Sequence, residues 1–321
     1  GWSDETLNDH FARQRASADT AGHELSLIWF NRMKDVLREV DKGTYCIEWT
    51  GPLQFLDLGR VPISCCPGGF TSYILNHHPR ATGVGVSLEE AKGGHPYLLE
   101  HRLRSRFTLH SADILSFNLG TQSPDGEVDH PPIAEYKRHF GLVLVDGHYL
   151  RAQRAAHPDT PWDRHRVLIS QLILALQTVK IGGTLIVKMS HPEAVPVAKL
   201  IRMLDLLSQT VRLWKPWSLH STRGSFYVVA QGVGLGERGD RLQHYASQLK
   251  EVWQKLYSGG KQGRGRFMVD SDFDFVITNE DVVETYLHRL VKLATPVWRR
   301  QAVALQQWFI KHNITSYVLT P

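Results

Sequence analysis

A nearly all-apolar run, FGLVLVDG at 140–147, constrains the fold most, because a strand this apolar must be buried on both faces. Similar runs occur at 55–59, 81–88, 106–114 and 184–189, and helical patterns at 67–75, 167–183 and 194–210 are interleaved with them. Strands that alternate with helices predict an α/β fold with a doubly wound, Rossmann-like, mostly parallel sheet.

Two further apolar runs, at 211–217 and 224–233, follow the last of these helices. The link between them is too short for a crossover helix, so the sheet is predicted to end in an antiparallel pair. The helix at 167–183 is predicted to end at the Gly182–Gly183 pair, since glycine is common just beyond a helix C-terminus.

The chain divides into three predicted regions. Residues 1–50 form an N-terminal helical segment with a polar start and an amphipathic helix at 24–40. Residues 51–236 form the α/β domain, and residues 237–321 form a small helical appendage. Within the appendage, 258–267 is predicted to be a basic, glycine-rich linker and Pro296 to interrupt a helix.

Composition narrows the classes of partner and compartment. The net charge of +5 permits a polyanionic partner such as RNA but is too mild to argue for one. Three cysteines with no CxxC, and no HExxH among 17 histidines, predict no metal site and an intracellular, reducing location. No apolar run approaches the roughly 20 residues that span a bilayer, and the N-terminus lacks the apolar core of a signal peptide.

A glycine-rich turn follows the first strand: FLDLG (55–59) leads to CCPGGF (65–70), which opens a helix. Glycines let the backbone approach a ligand closely, and a helix N-terminus offers free N–H groups. With VDG (145–147), IVKMS (186–190) and KP (215–216) before a strand containing Tyr227, this ordered set resembles the FtsJ-like RNA ribose 2′-O-methyltransferases, most closely fungal members.

The resemblance implies S-adenosylmethionine as cofactor. It places the cofactor beside Asp57, Gly59, Pro67, Gly68, Gly69, Phe70, Asp113 and Asp146, with Glu89 as a candidate for the ribose hydroxyls. Asp113 has an equally weighted alternative, the N-cap of the turn that follows it. Five residues, RVPIS (60–64), separate DLG from the PGG turn and depart from the family spacing. They either loop out, reshape the pocket or reflect a misread exon boundary.

The catalytic candidates are Lys188 and Asp146. An alcohol must be positioned and deprotonated to attack a methyl group, and a lysine aimed by a carboxylate suits that task. Both residues end apolar strands, where a lone charge is costly, so we expect them to pair at one edge of the sheet. A purely structural ion pair is the alternative.

The resemblance also implies a Lys-Asp-Lys-Glu tetrad, of which Asp146 and Lys188 match the centre. Ser225 stands where the family has Glu, and the first lysine falls on Lys34 or, equally, on Asn31. For the substrate, Arg151 and Arg154 in the loop after Asp146, with Lys215 and Arg223, are predicted to contact RNA phosphates. Simple solvation is the alternative for the loop arginines.

Three functions remain open from the sequence. The first is an RNA ribose methyltransferase. The second is a degenerate methyltransferase fold that binds RNA or protein, which the insertion at 60–64 and Ser225 favour. The third is a methyltransferase with a non-RNA acceptor, because a fold does not fix the acceptor.

Overall fold

The computed structural model describes residues 23–47, 51–59, 68–88, 97–120, 131–147 and 158–312. The polar start of the chain, through residue 22, lies outside them. Helix α1 (His23–Thr44) confirms the predicted amphipathic helix. Its buried side chains, among them Val36, Leu37 and Val40, pack in one cluster with Phe55 of the first strand.

One seven-stranded sheet organises the described residues, in the order β3-β2-β1-β4-β5-β7-β6. The first five strands pair in parallel, whereas β7 runs antiparallel to both β5 and β6. The doubly wound fold with an antiparallel closing strand is therefore confirmed. The strands are β1 (Gln54–Asp57), β2 (Thr82–Ser87), β3 (Phe107–Ser111), β4 (Phe140–Val145), β5 (Val179–Ser190), β6 (Ser208–Trp214) and β7 (Ser225–Val233).

Helices cover both faces of this sheet. One buried cluster joins α1 and α2 to the sheet, and the other joins α3, α4 and the C-terminal helices to its opposite face. The C-terminal region thus shares a core with the sheet: Trp253 Nε1 donates to Ser170 Oγ at 2.9 Å. The helices are α2 (Gly69–His77), α3 (Asp163–Thr178), α4 (Val195–Leu207), α5 (Leu242–Ser258), α6 (Asn279–Asp281) and α7 (Leu287–Lys311), with a π-helical turn at Val282–Tyr286.

The predicted helix end at Gly182–Gly183 is wrong. Helix α3 ends at Thr178, and residues 179–183 are extended as the first part of β5. Backbone donors replace a glycine cap, because the N–H groups of Arg138 and His139 bind the carbonyl oxygens of Gln177 and Thr178. The helix can therefore end without a left-handed residue.

Pro296 does not interrupt the last helix, contrary to the sequence prediction, since α7 runs through it. Proline lacks an N–H and leaves a carbonyl one turn earlier without its helical donor. Next to it, Thr295 Oγ1 donates to Val291 O at 2.7 Å. Burial of Ala294 and Val297 on the inner face holds the helix against the core.

The basic segment 258–267 is folded, not the flexible linker that its composition predicts. Arg266 N donates to Leu256 O, and the Arg266 guanidinium binds the buried Asp272 carboxylate through two bonds. Gly265 has φ +105°, and a Cβ there would meet Leu256 O at 2.5 Å and the Trp162 ring. Glycine is therefore required at this turn, because an L side chain would be strained and would clash.

Candidate active site

The carboxyl ends of β1, β4 and β5 bring three predicted residues to one edge of the sheet. Asp57 ends β1, Asp146 follows β4, and Lys188 lies two residues before the end of β5. Parallel neighbours end at the same edge, so strand order alone explains why residues so distant in sequence meet.

Asp146 and Lys188 form the predicted ion pair. Lys188 Nζ lies 3.3 Å from Asp146 Oδ1, and the two side chains are only 9% and 7% exposed. Tyr227, which faces Lys188 in the β5–β7 register, donates its hydroxyl to the same Oδ1 at 2.9 Å. The three side chains are called the catalytic cluster below. A buried pair of charges is stable only when its geometry is good and its remaining polar atoms are bonded.

Asp57 adds a second carboxylate beside this cluster. Burial raises its pKa to about 6; Thr71 Oγ1, donating to Oδ2 at 2.8 Å, opposes the shift, and the charge of Asp146 adds to it. Two carboxylates at neighbouring strand ends repel each other, and a positively charged ligand would relieve that repulsion. The sulfonium and ammonium groups of S-adenosylmethionine fit this requirement.

The glycine turn reaches the same edge from α2. Gly68 has φ +115°, and Gly69 begins α2, where a Cβ would meet Met33 Cβ at 2.6 Å and Phe30 O at 2.8 Å. The next residue, Phe70, packs against Tyr227 with ring centroids 6.0 Å apart. Pro67 and the insertion at 60–64 lie outside the described residues. The start of α2, which has no side-chain cap among the described residues, thus lies close to the catalytic cluster.

At β2 and β3, the edge carries polar groups of two kinds. Ser87 Oγ, at the end of β2, is buried without a hydrogen-bond partner among the described residues, as a site for a ligand hydroxyl would be. Asp113 Oδ1 accepts from Leu115 N at 2.8 Å, which is the turn-capping alternative. Contact of Asp113 with adenine stays a prediction. Glu89 lies outside the described residues.

A cavity of about 700 Å³ opens beside Lys188. Its size is that of a pocket for a nucleotide-sized ligand. The cationic side chains Arg164 and Arg223 stand at its edge, and both residues are exposed. The wall includes Gly147, Leu168, Lys188, Met189, His191, Val197, His220, Ser225 and Met268. It is called the acceptor cavity below.

Two predicted substrate residues have different surroundings. Arg223 lines the acceptor cavity, whereas Lys215 is 2% exposed and donates to the carbonyl oxygens of Arg223 and Ser225. Burial lowers the pKa of Lys215 to about 8. The Lys215 amine is engaged by backbone carbonyl oxygens in this structure, and its contact with RNA stays a prediction. Arg151 and Arg154 lie outside the described residues.

The candidates for the two outer positions of the family tetrad are Lys34 and Ser225. Lys34 Nζ binds Glu100 Oε1 at 2.7 Å, and that oxygen also accepts from Ser72 Oγ. Glu100 thereby links Lys34 of α1 to Ser72 of α2, and a catalytic role for Lys34 stays a prediction. Ser225 lines the acceptor cavity two residues from Tyr227, where the family has Glu.

Sequence reasoning missed two groups of residues. Tyr227 was only a motif marker, although its alternation with Ser225 on β7 places both on the Lys188 face. His165 and Met268 line the cavity from α3 and from the segment after α5. No local sequence pattern predicts them, because Met268 N donates a hydrogen bond to His165 Nδ1, which lies 103 positions earlier in the chain.

Metal and membrane chemistry receive no support from the described residues. Among them, no group of three or more His, Cys, Asp or Glu side chains is arranged to hold a metal ion. None of the described helices combines the length and apolar character that crossing a bilayer requires.

Comparison with known proteins agrees with this geometry. The family model described as FtsJ-like methyltransferase matches residues 37–233, more than half of the chain. The cap-specific mRNA (nucleoside-2′-O-)-methyltransferase 1 of Danio rerio is 28% identical over 193 residues, 57% of this chain and 23% of that protein. The protein of the same name in Homo sapiens is 27% identical over 195 residues, 57% of this chain and 22% of that protein.

The chain therefore spans less than a quarter of the curated relatives it matches. Among solved structures, a ribosomal RNA methyltransferase from Plasmodium falciparum aligns at a TM-score of 0.42 and 19% identity, covering 64% of this chain and 98% of that one. A TM-score this low supports no functional argument.

Proposed function

Because the chain belongs to the FtsJ-like methyltransferase family, we propose that it transfers a methyl group from S-adenosylmethionine to a ribose 2′-hydroxyl of RNA. The observation that carries the proposal is the buried catalytic cluster of Lys188, Asp146 and Tyr227, with Lys188 lining the acceptor cavity. An RNA acceptor agrees with the intracellular location expected from the cysteine content.

Cofactor binding falls to residues at the carboxyl edge of the sheet. Asp57, Gly59, Gly68, Gly69, Phe70 and Asp146 hold the cofactor, together with Asp113 and, outside the described residues, Pro67 and Glu89. The buried Asp57 and Asp146 carboxylates supply negative charge for a cationic ligand, and the unbonded Ser87 Oγ offers a further contact. Bound there, S-adenosylmethionine would supply an electrophilic methyl group, with a neutral thioether as the leaving group.

Lys188 prepares the nucleophile. A ribose hydroxyl in the acceptor cavity must lose its proton as its oxygen attacks, and Nζ of Lys188 accepts that proton once its ammonium has released one to solvent. Asp146, 3.3 Å away, then stabilises the ammonium. Tyr227 holds Asp146 in place through the bond to Oδ1, so the carboxylate keeps its aim at Lys188.

The relatives suggest the first acceptors to test. Their names describe cap-specific mRNA 2′-O-methyltransferases, so we propose capped RNA as the first substrate class, with uncapped RNA as the comparison. Arg164 and Arg223 at the cavity edge carry the positive charge that phosphates need.

A second function, a binding module without catalysis, is favoured by two observations. Ser225 cannot supply the charge that the family's Glu provides, and Lys34 is engaged by Glu100. A third, methylation of a non-RNA acceptor, fits the same cofactor edge, since the fold does not select the acceptor.

Two measurements separate these functions. Calorimetric titration with S-adenosylmethionine, on the natural chain and on a variant lacking residues 60–64, tests cofactor binding. If neither protein binds the cofactor, the result supports the binding module without catalysis. If only the shortened protein binds it, the insertion at 60–64 prevents cofactor binding. Transfer of a labelled methyl group to capped and uncapped RNA then tests the acceptor, and cofactor binding without RNA methylation would favour a non-RNA substrate.

A further inference from the structure

The C-terminal segment beyond the family match reaches the acceptor cavity. The match ends at residue 233, yet Met268 forms part of the cavity wall. Building on the proposed function, we propose that Met268 is a substrate-binding residue that packs against the base of the acceptor nucleotide, and that the C-terminal region positions the walls around it.

Met268 is held from both sides. Its N–H donates to His165 Nδ1 at 3.0 Å, and burial lowers the pKa of His165 to about 4, so the ring is neutral and can accept. Beyond it, Val269 N donates to Asp272 Oδ2 at 2.9 Å, and Asp272 is bound by Arg266. With its backbone held and its side chain half-buried against the core cluster, Met268 stays in this wall of the cavity, where its flexible thioether can adapt to a ligand.

Helix α7 also contacts the part of the cavity wall that contains His191. Trp298 Nε1 donates to Glu193 Oε2 at 3.2 Å, and Glu193 Oε1 lies 3.0 Å from Nδ1 of His191. His191 lines the cavity immediately after β5, the strand that carries Lys188. The C-terminal helix thus fixes a residue close to the catalytic cluster.

A third contact supports the loop between β6 and β7. The Arg300 guanidinium stacks 4.6 Å from the Trp214 ring centroid and 5.4 Å from that of Trp217, and it donates to Lys215 O. Lys215 in turn holds the carbonyl oxygens of Arg223 and Ser225. Arg300 and Lys215 are therefore positioning residues for the part of the cavity lined by Arg223 and Ser225.

The cavity chemistry fits a nucleotide. Leu168, Met189, Val197 and Met268 provide apolar surface, while Arg164 and Arg223 provide charge at the edge. A base can pack on polarisable sulfur and aliphatic groups while its phosphates meet the guanidinium groups. An apolar wall that touches only the base changes acceptor binding and leaves the chemical step intact.

The test compares Met268→Ala, Met268→Leu and Val269→Ala in the full chain. Val269 is the matched control, because it is the neighbouring residue, is 45% exposed and is absent from the cavity wall. Two readouts are needed: steady-state methyl transfer with RNA varied, and anisotropy of a fluorescent capped RNA oligonucleotide. S-adenosylmethionine affinity is measured for each variant as a check on folding.

We expect Met268→Ala to raise the KM for RNA and the RNA Kd about five- to tenfold, with kcat within about twofold, since apolar contact is lost. Met268→Leu should stay near the natural value, and Val269→Ala should equal it. An active natural chain whose RNA KM and Kd are unchanged by Met268→Ala would overturn this inference alone. If the natural chain binds RNA without methylating it, and Met268→Ala weakens that binding, the inference about Met268 is supported while the proposed activity is refuted. No RNA binding by the natural chain would overturn both.

Discussion

Replacing Lys188 with Met tests whether the buried ion pair is catalytic or only structural. The substitution keeps the aliphatic bulk but leaves Asp146 without its cation at a site only 7% exposed. Removing one partner of a buried pair costs about 3–5 kcal/mol. We expect the lower end, because Tyr227 still donates to Asp146 Oδ1 and the cavity admits water.

At about 2.1 cal/mol/K of unfolding entropy per residue, a loss of about 3 kcal/mol corresponds to a fall in Tm of about 4–5 °C for a protein of 321 residues. The double variant Asp146→Asn/Lys188→Met removes both charges and should recover most of that stability. Activity should not recover: loss of a general base lowers kcat by roughly 10²- to 10⁴-fold, in the single and the double variant alike.

Thermal melting and transfer of a labelled methyl group to RNA measure the two effects separately. Lys180→Met, an exposed lysine on the same strand, is the matched control and should change neither. If Lys188→Met methylated RNA within a few-fold of the natural rate, the catalytic assignment would be wrong. If the double variant were no more stable than the single one, the uncompensated Asp146 charge would not explain the destabilisation.

Three further substitutions follow from the contacts described above. Burial raises the pKa of Asp57 to about 6, so the affinity for S-adenosylmethionine should fall as pH falls through that value. Calorimetry should find that Asp57→Asn binds the cofactor more weakly and that its affinity does not change with pH in this range. With a folded pKa above the ordinary 3.8, the folded state binds more protons between these values, so this group favours folding at low pH and that contribution is lost as pH rises through 6. Gly265→Ala should destabilise by about 1–3 kcal/mol in urea unfolding, because φ is +105° and the new Cβ meets Leu256 O. Gly51→Ala, with nothing within 4 Å, should be near neutral, and equal values would contradict the steric argument. Arg300→Met should raise the RNA KM severalfold with unchanged cofactor affinity, whereas a fall in kcat alone would argue against a positioning role.

Local patterns predicted the sheet well where burial decides the structure. The run at 140–147 became β4, and the ends of β4 and β5 placed Asp146 beside Lys188, because parallel strands share an edge. Patterns failed where tertiary contacts replaced local rules. The backbone of residues 138–139 ends α3 four positions before the glycine pair, and burial carries α7 through Pro296.

The site was predictable only in part for the same reason. Asp146 and Lys188 stand out as charges in apolar strands, but Lys215 looks equally cationic and turns inward to carbonyl oxygens. Met268 belongs to the cavity through contacts with residues about a hundred positions earlier, which no spacing records. Long-range packing, not propensity, decides these placements.

The antiparallel pairing of β5 with β7 has a consequence for how the active site is assembled during folding. Lys188 lies opposite Tyr227, and neighbouring residues on a strand point to opposite faces. A slip of one residue would present Phe226 to Lys188 and turn the tyrosine hydroxyl away from Asp146. The register therefore ties the active site to the core: a one-residue slip would also exchange the side chains that β7 presents to the two buried clusters, which are packed for different residues. A chain that completes its core has already aligned its catalytic groups.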